Sequence, residues 1–212
     1  MARARALLVL LVLLPVFGCA AARKDTYGAF YAHQPRSIVI VPVMNESPEI
    51  NAPSVFMSTV SAPLAERGYY VFPVYLVDAL LRDLGLPEAG LVHQLPVGRF
   101  YDLFGADAVL FVTIRDWSTK YIVLTSTVTV EMEYVLRDTR SGVQLWARSQ
   151  RVAHSSGGSN LIDAAVQAAV NALLTDYRPL AREANFAVFA SPGGGLPAGP
   201  YHPEYGQDRD RF

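Results

Sequence analysis

Only one cysteine occurs among the 212 residues, so the chain cannot form an internal disulfide or a cluster of cysteine metal ligands. Charged residues make up 17% of the chain and the formal net charge is −1, which gives no sign of a nucleic-acid-binding surface. No histidine has a second histidine or a cysteine at the spacing of a metal site; the four are His33, His93, His154 and His202. We therefore expect no metal, no other cofactor and no nucleic-acid partner.

The sequence also lacks the common catalytic motifs, including the nucleophile elbow, the zinc-binding His-Glu-x-x-His pattern and the P-loop. A glycine-rich stretch at 193–199 neither follows a predicted strand nor opens a helix, so we do not interpret it as a phosphate loop. Glu131 and Glu133 share one face of a predicted strand, about 7 Å apart, a spacing that would suit a glycosidase. The sequence predicts a non-enzymatic protein, and the alternative is a periplasmic hydrolase using Glu131, Glu133 or His154.

The N-terminal residues have the pattern of a secretory signal peptide. Arg3 and Arg5 precede an apolar run from Ala6 to Phe17, which is followed by Gly18 and the lone Cys19. The run is twelve residues long, whereas a bilayer span needs ~20. We predict that residues 1–18 are a signal peptide cleaved after Gly18; the alternative is an N-terminal membrane anchor that stays attached.

Cys19 is the predicted lipidation site. Val16-Phe17-Gly18-Cys19 resembles the bacterial lipobox, although Phe17 is larger than the residue usual there. Each buried acyl CH₂ contributes about 0.8 kcal/mol, so several acyl chains would anchor the protein without a spanning helix. A signal for retention in the inner membrane would resemble an aspartate directly after the lipidated cysteine, whereas this chain has Ala20 there. This favours the outer membrane, with the protein on its periplasmic side.

The mature chain divides into three predicted regions: a lipidated tether (19–36), one α/β domain (37–190) and a Gly/Pro-rich tail (191–212) with no packed element. Apolar and alternating runs predict a mixed five-stranded sheet with helices mainly on one face. The predicted strands are Ser37–Val43, Tyr69–Phe72, Asp107–Trp117, Tyr121–Arg137 and Val143–Ala153. Tyr121–Arg137 alternates apolar and polar residues, and Val143–Ala153 returns beside it after a five-residue turn. We therefore expect a three-stranded antiparallel meander in the C-terminal half, with one wet face.

Apolar periodicity and helix-end signals predict the helices Pro53–Arg67, Pro73–Leu84, Pro96–Phe104 and Leu161–Tyr177, with a weaker stretch at Leu180–Phe189. Pro63 could kink or split the first of them. Pro42 predicts a break in hydrogen bonding near the end of the first strand. The edge of the Tyr121–Ala153 hairpin could pair with a second copy, so a closed homodimer is a possible assembly.

Aromatic residues between prolines interrupt the otherwise structureless tail. Tyr201, His202 and Tyr205 lie in the stretch Gly-Pro-Tyr-His-Pro-Glu-Tyr, which could dock in a groove of this subunit or of a partner. These three residues are the candidate partner-binding residues. Because the tail holds few apolar residues, we expect it to contribute little to folding.

Several stretches carry a resemblance to a bacterial lipoprotein family known as domain of unknown function seven hundred and ninety-nine. They are the strand Ser37–Val43 with the following Asn45-Glu46-Ser47-Pro48, the segment from Asn51 to Val74, Phe104-Gly105-Ala106-Asp107-Ala108, Trp117 and the Gly-Pro-Tyr-His-Pro tail. The resemblance implies an outer-membrane lipoprotein without assigned catalytic residues. It also implies a domain similar to the N-terminal domain of the Tol-system propeller protein and the periplasmic domain of the curli secretion channel. A channel-like lipoprotein of the curli-secretion type is the implied partner in an envelope complex.

Overall fold

The computed structural model of the protein describes residues 27–122, 125–156 and 176–212, with side chains described for all of these except 120–122, 125, 126 and 156. The strands are β1 (Ser37–Ile40), β2 (Met44–Asn45), β3 (Tyr70–Val71), β4 (Ala108–Ile122), β5 (Thr125–Asp138) and β6 (Gln144–Ser156). The helices are α1 (Gly28–His33), α2 (Ala52–Met57), α3 (Ser61–Glu66), α4 (Val74–Asp83), α5 (Ala89–His93), α6 (Gly98–Phe104) and α7 (Arg178–Ala190), with a 3-10 turn at Arg209–Arg211. The predicted signal peptide, Cys19 and most of the predicted helix Leu161–Tyr177 lie outside the described residues.

The strands form one mixed sheet in the order β3-β1-β4-β5-β6. β1 is parallel to both β3 and β4, while β4, β5 and β6 run antiparallel as a meander. The predicted α/β class and meander are therefore confirmed. β6 is the edge strand on that side, and a homodimer formed through it stays a prediction.

A sixth strand extends the path of β1 beyond an interruption at Pro42. β2 pairs in parallel with β4, with Met44 opposite Thr113, whereas β1 ends at Ile40. Proline has no backbone N–H to donate to the ladder, so the chain leaves the sheet at this point and then returns. The predicted break at Pro42 is confirmed, and the second short strand is an addition to the five predicted.

Two hydrophobic cores lie on opposite faces of the sheet. The larger core contains Ile38 and Ile40 of β1 and receives buried side chains from α1, α2, α3 and α7. The smaller core contains Val39 and Val41 and receives buried side chains from α4, α5 and α6. β1 is therefore covered on both sides, as its unbroken apolar run predicts, while Glu131 and Glu133 lie on the face of β5 turned away from the larger core.

Two helical predictions need correction. The predicted helix Pro53–Arg67 is two helices, α2 and α3, because the chain turns between them at Ser58–Val60. Pro63 lies in the first turn of α3, where its missing N–H would have no helical partner anyway. α5 is a five-residue helix that the sequence analysis did not predict. The weaker predicted stretch Leu180–Phe189 is confirmed as part of α7.

The predicted tether and tail pack against the domain much more than their composition suggests. Residues 28–33 form α1, in which Phe30 is buried. In the tail, Leu196, Ala198 and Asp208 are buried. The prediction of a tail without packed structure is wrong, because side chains elsewhere in the domain bind its backbone carbonyls and so offset its ordering entropy.

Candidate functional site

A crevice opens at the carboxyl ends of β1 and β3. The helices that follow these neighbouring parallel strands, α2 and α4, pack on opposite faces of the sheet. Such a divergence leaves a gap outside the strand ends, which is where α/β sheets usually bind their ligands. The crevice has a volume of about 400 Å³, and its lining includes Pro42, Val43, Met57, Val74, Tyr75 and Pro87.

The crevice is mainly apolar and its charged groups are already paired. Arg82 Nε donates to Asp78 Oδ2 at 2.8 Å across one turn of α4, so both charges at the rim are balanced. Behind the crevice, His93 Nε2 lies 2.9 Å from the carbonyl oxygen of Pro42 and fixes the break between β1 and β2. Burial lowers the pKa of His93 although this hydrogen bond opposes the shift, which favours a neutral ring that donates to the carbonyl. These groups shape a binding surface and present no nucleophile.

One side of α4 exposes a row of leucines, here named the leucine stripe: Leu76, Leu80 and Leu84. They follow one another at four-residue intervals, and their exposed fractions are 62%, 38% and 50%. Tyr75, exposed to 78%, lies on the other flank of α4 and lines the crevice. Meanwhile Val77 and Leu81 of the same helix are buried in the smaller core. α4 therefore exposes apolar residues in addition to those that it buries against the sheet.

The leucine stripe was not found from the sequence. Both sides of α4 are apolar, so periodicity alone could not tell which leucines face the sheet and which face solvent. Only the packing of Val77 and Leu81 against β1 leaves the other row uncovered.

The two carboxylates considered for hydrolysis are held in ion pairs. Arg151 Nη1 donates to Glu131 Oε2 at 2.9 Å, and Arg115 Nη2 donates to Glu133 Oε2 at 2.6 Å. Arg115 also donates to Glu46. These ion pairs connect neighbouring strands, and a strand to a loop, on the outward face of the sheet. Such an arrangement stabilises strand pairing.

His154 does not join the two glutamates. It pairs with Val128 in the sheet register, and the strand alternation therefore places it on the opposite face from Glu131. Its Nε2 instead lies 2.9 Å from Glu183 of α7. The structure thus separates His154 from the two glutamates, which share the outward face of β5. Within the described ranges, no three His, Cys, Asp or Glu side chains are grouped so that they could hold a metal ion.

The tail crosses the opposite end of the sheet, at the amino ends of β1 and β3. The hydroxyl of Tyr69 donates to the carbonyl of Pro197 at 2.6 Å, and Gly199 N donates to the carbonyl of Arg67 at 2.7 Å. Tyr201 N then donates to the carbonyl of Gly68 at 3.0 Å. These bonds hold the Tyr201 backbone against the turn that precedes β3.

A buried ion pair also holds the tail. Asp208 is buried and accepts a hydrogen bond from Ala198 N at 2.5 Å. Arg67 Nη2 lies 3.5 Å from Asp208 and donates to the carbonyl of Leu196 at 2.5 Å. Burial, with a contribution from the Asp208 carboxylate, raises the pKa of Tyr31 in α1 to about 12. The tail is thus fixed to α3 and lies close to α1.

The three candidate partner-binding residues have different surroundings. Tyr205 donates a long hydrogen bond of 3.3 Å to Gln34, just after α1, and His202 Nδ1 accepts from the Glu204 amide at 3.1 Å. Tyr201 is 69% exposed. The structure brings Tyr205 and His202 into the packed tail and leaves the Tyr201 ring in solvent.

Comparison with known proteins identifies the family. The family model described as "Putative lipoprotein GNA1162-like" matches residues 25–197, most of the chain. The chain belongs to this lipoprotein family. Lipoprotein NMB1124/NMB1162 of Neisseria meningitidis serogroup B is 38% identical over 155 residues, covering 71% of this chain and 72% of that relative. As a member of a lipoprotein family, the protein is anchored to a membrane of the cell envelope.

A solved structure of a family member shows the same fold. The crystal structure of lipoprotein GNA1162 from Neisseria meningitidis is 34% identical, with a TM-score of 0.57, and the match covers 68% of this chain and 99% of that one. A weaker match is the PelC dodecamer from Paraburkholderia phytofirmans, at 15% identity and a TM-score of 0.42 over 69% of this chain and 88% of that one. The names of these relatives specify no reaction. Among the described residues, no helix has both the length and the apolar character of a membrane span.

Proposed function

We propose that the protein is an outer-membrane lipoprotein that faces the periplasm and acts as a non-catalytic accessory subunit of an envelope assembly or transport complex. Cys19 would carry the lipid after cleavage behind Gly18. The partner would be a channel lipoprotein of the curli-secretion type, which the sequence resemblance implies. Membership of the lipoprotein family supports the anchoring, and the surface of α4 supports the accessory role.

The observation that carries this proposal is the exposed leucine stripe on α4, the helix whose other flank lines the apolar crevice. Burying one leucine side chain contributes about 1.5–3 kcal/mol, so the three leucines of the stripe supply a substantial driving force for docking. Exposed apolar patches of this kind mark sites of protein association. The ion-paired state of Glu131 and Glu133 supports a non-catalytic role for the other half of the sheet.

The tether region and the crevice lie at opposite ends of the domain, which suits a subunit held between a membrane and a partner. α1 and the tail lie at the amino ends of β1 and β3, whereas the crevice lies at their carboxyl ends. The path from Ser37 to Asn45 spans eight residue steps, or about 26 Å when extended. A lipid attached ahead of α1 would therefore anchor one end of the domain and leave the crevice at the other.

Copurification from solubilised membranes tests the accessory role. A tagged wild-type chain should recover a channel-type lipoprotein in stoichiometric amount. Replacing Leu76 and Leu80 together by glutamate should reduce that recovery by roughly tenfold or more, because central apolar anchors dominate interface energy. Val143→Glu is the matched control, since Val143 is also exposed but lies in the turn between β5 and β6. Equal recovery with both variants would contradict the proposal.

Anchoring is tested separately at Cys19. The Cys19→Ala variant should no longer incorporate a fatty-acid analogue and should leave the membrane fraction for a soluble or unprocessed pool. Density separation of the two membranes should place the wild-type chain with the outer membrane. Continued acylation of the variant would contradict lipidation at this residue.

A further inference from the structure

The exposed tail tyrosines lie close to the point where the membrane tether must enter the domain. Tyr27, which precedes α1, is only eight residues after Cys19, so an extended linker would reach about 28 Å at most. The tail packs on this same region: the Phe212 ring lies 4.9 Å from the Tyr27 ring, and Tyr205 bonds to Gln34. A domain anchored at Cys19 thus keeps the tail within reach of the bilayer.

The tail presents its aromatic rings on a fixed backbone. Hydrogen bonds from Gly199 and Tyr201 amides to the turn at residues 67–68 hold the segment in place. A β-carbon on Gly68 would lie 2.3 Å from the His202 nitrogen, so the two backbones are in direct contact. With its backbone held in this way, the exposed Tyr201 ring projects from a rigid support, and little ordering entropy would be lost when it meets another surface.

The charges around these rings are balanced. Arg211 pairs with Glu204 at 2.8 Å, and Arg67 pairs with Asp208 at 3.5 Å. These two arginines are neutralised by carboxylates, so they add little attraction to anionic headgroups. Tyrosine, with an apolar ring and a polar hydroxyl, is enriched where a protein meets the membrane–water interface.

We propose that Tyr201 and Tyr205 contact the lipid headgroup region of the membrane that holds the lipid anchor, and so orient the domain with the crevice pointing away from the bilayer. This proposal rests on the anchoring in the proposed function. It assigns the tail tyrosines to a lipid surface and leaves the crevice end for the protein partner.

Fluorescence quenching by brominated lipid tests the contact. The lipidated full chain carrying Tyr201→Trp is incorporated into phosphatidylcholine vesicles with or without bromine on the upper acyl chain. Native Trp117 and Trp146 are buried and contribute the same background emission to this variant and to its control. The matched control is Tyr75→Trp, at the opposite end of β3. We expect the emission added at position 201 to fall by roughly half on brominated vesicles, and the emission added at position 75 to stay constant, because interfacial aromatic rings lie at headgroup level.

Vesicle flotation distinguishes the failure of this contact from the failure of anchoring. If the chain floats but bromine quenches positions 201 and 75 equally or not at all, the orientation proposal is overturned and the anchoring stands. If the lipid-bearing chain does not float, both are overturned. If position 201 is shielded only after a channel lipoprotein is added to the vesicles, the surface binds protein and the lipid assignment is overturned.

Discussion

The hydroxyl of Tyr134 donates a 2.7 Å hydrogen bond to Oδ1 of Asn185, and both side chains are buried in the larger core. Asn185 Nδ2 in turn donates to Thr59 Oγ1 at 3.1 Å. This chain of bonds connects β5, α7 and the turn between α2 and α3. Burial raises the pKa of Tyr134 well above its ordinary value, so its hydroxyl keeps its proton.

Breaking this connection should destabilise the domain. Asn185→Ala removes the acceptor of the Tyr134 hydroxyl, and Tyr134→Phe removes the donor. Each should lower the free energy of unfolding by about 1–3 kcal/mol, because a buried polar group is left unpaired. Urea denaturation measures both. The double variant should lose clearly less than the sum of the two single losses, and strict additivity would contradict the coupling.

Truncation after Ala190 should strongly destabilise the protein. It leaves four side chains without their acceptors: the Tyr27 and Tyr69 hydroxyls, the Trp146 indole N–H and the Arg67 guanidinium. At about 1–3 kcal/mol for each unpaired group, and with the burial of Leu196 also lost, the cost is comparable with the 5–15 kcal/mol stability of a typical domain. Thermal unfolding followed by circular dichroism measures it. An unchanged melting temperature would show that the tail does not pack on the domain.

Alanine substitutions at Gly68 and Gly85 distinguish the cost of backbone strain from the cost of losing the contact with the tail. Both have positive φ, +83° and +81°, but only Gly68 lies against the tail. Gly85→Ala should cost about 1 kcal/mol from its left-handed backbone alone. Gly68→Ala should cost at least about 2 kcal/mol more, because the new β-carbon would displace the His202 backbone. Similar unfolding midpoints for the two variants in urea would contradict this contact.

His93 should make stability depend on pH. Burial lowers its folded pKa below the ordinary value of 6.5, so the unfolded state binds the proton more tightly. The stability from this site is present above about pH 6.5 and is lost as the pH falls through the folded pKa. The His93→Gln variant can still donate to the Pro42 carbonyl but does not titrate. Between about pH 7.5 and 5, its unfolding midpoint should fall less than that of the wild type.

The local sequence pattern predicted much of the sheet but little of the candidate functional site. Period-two alternation identified the central strand of the meander, and an apolar run identified β1 as a strand covered on both faces. The tail could not be predicted in the same way, because its bonds come from Tyr69 and Trp146, far away in the sequence. The leucine stripe depends on which side of α4 the sheet covers, which is a tertiary property.

Site-specific photo-crosslinking in living cells tests the central claim most directly. A photoreactive amino acid at Leu80 should form one major adduct, with a channel-type lipoprotein of the envelope, whereas the same group at Val143 should form none. Both positions are similarly exposed, at 38% and 40%, so reactivity with bulk solvent does not distinguish them. An adduct at Val143 alone, or no adduct at Leu80 in a chain that remains membrane-anchored, would contradict an accessory role exercised through the leucine stripe.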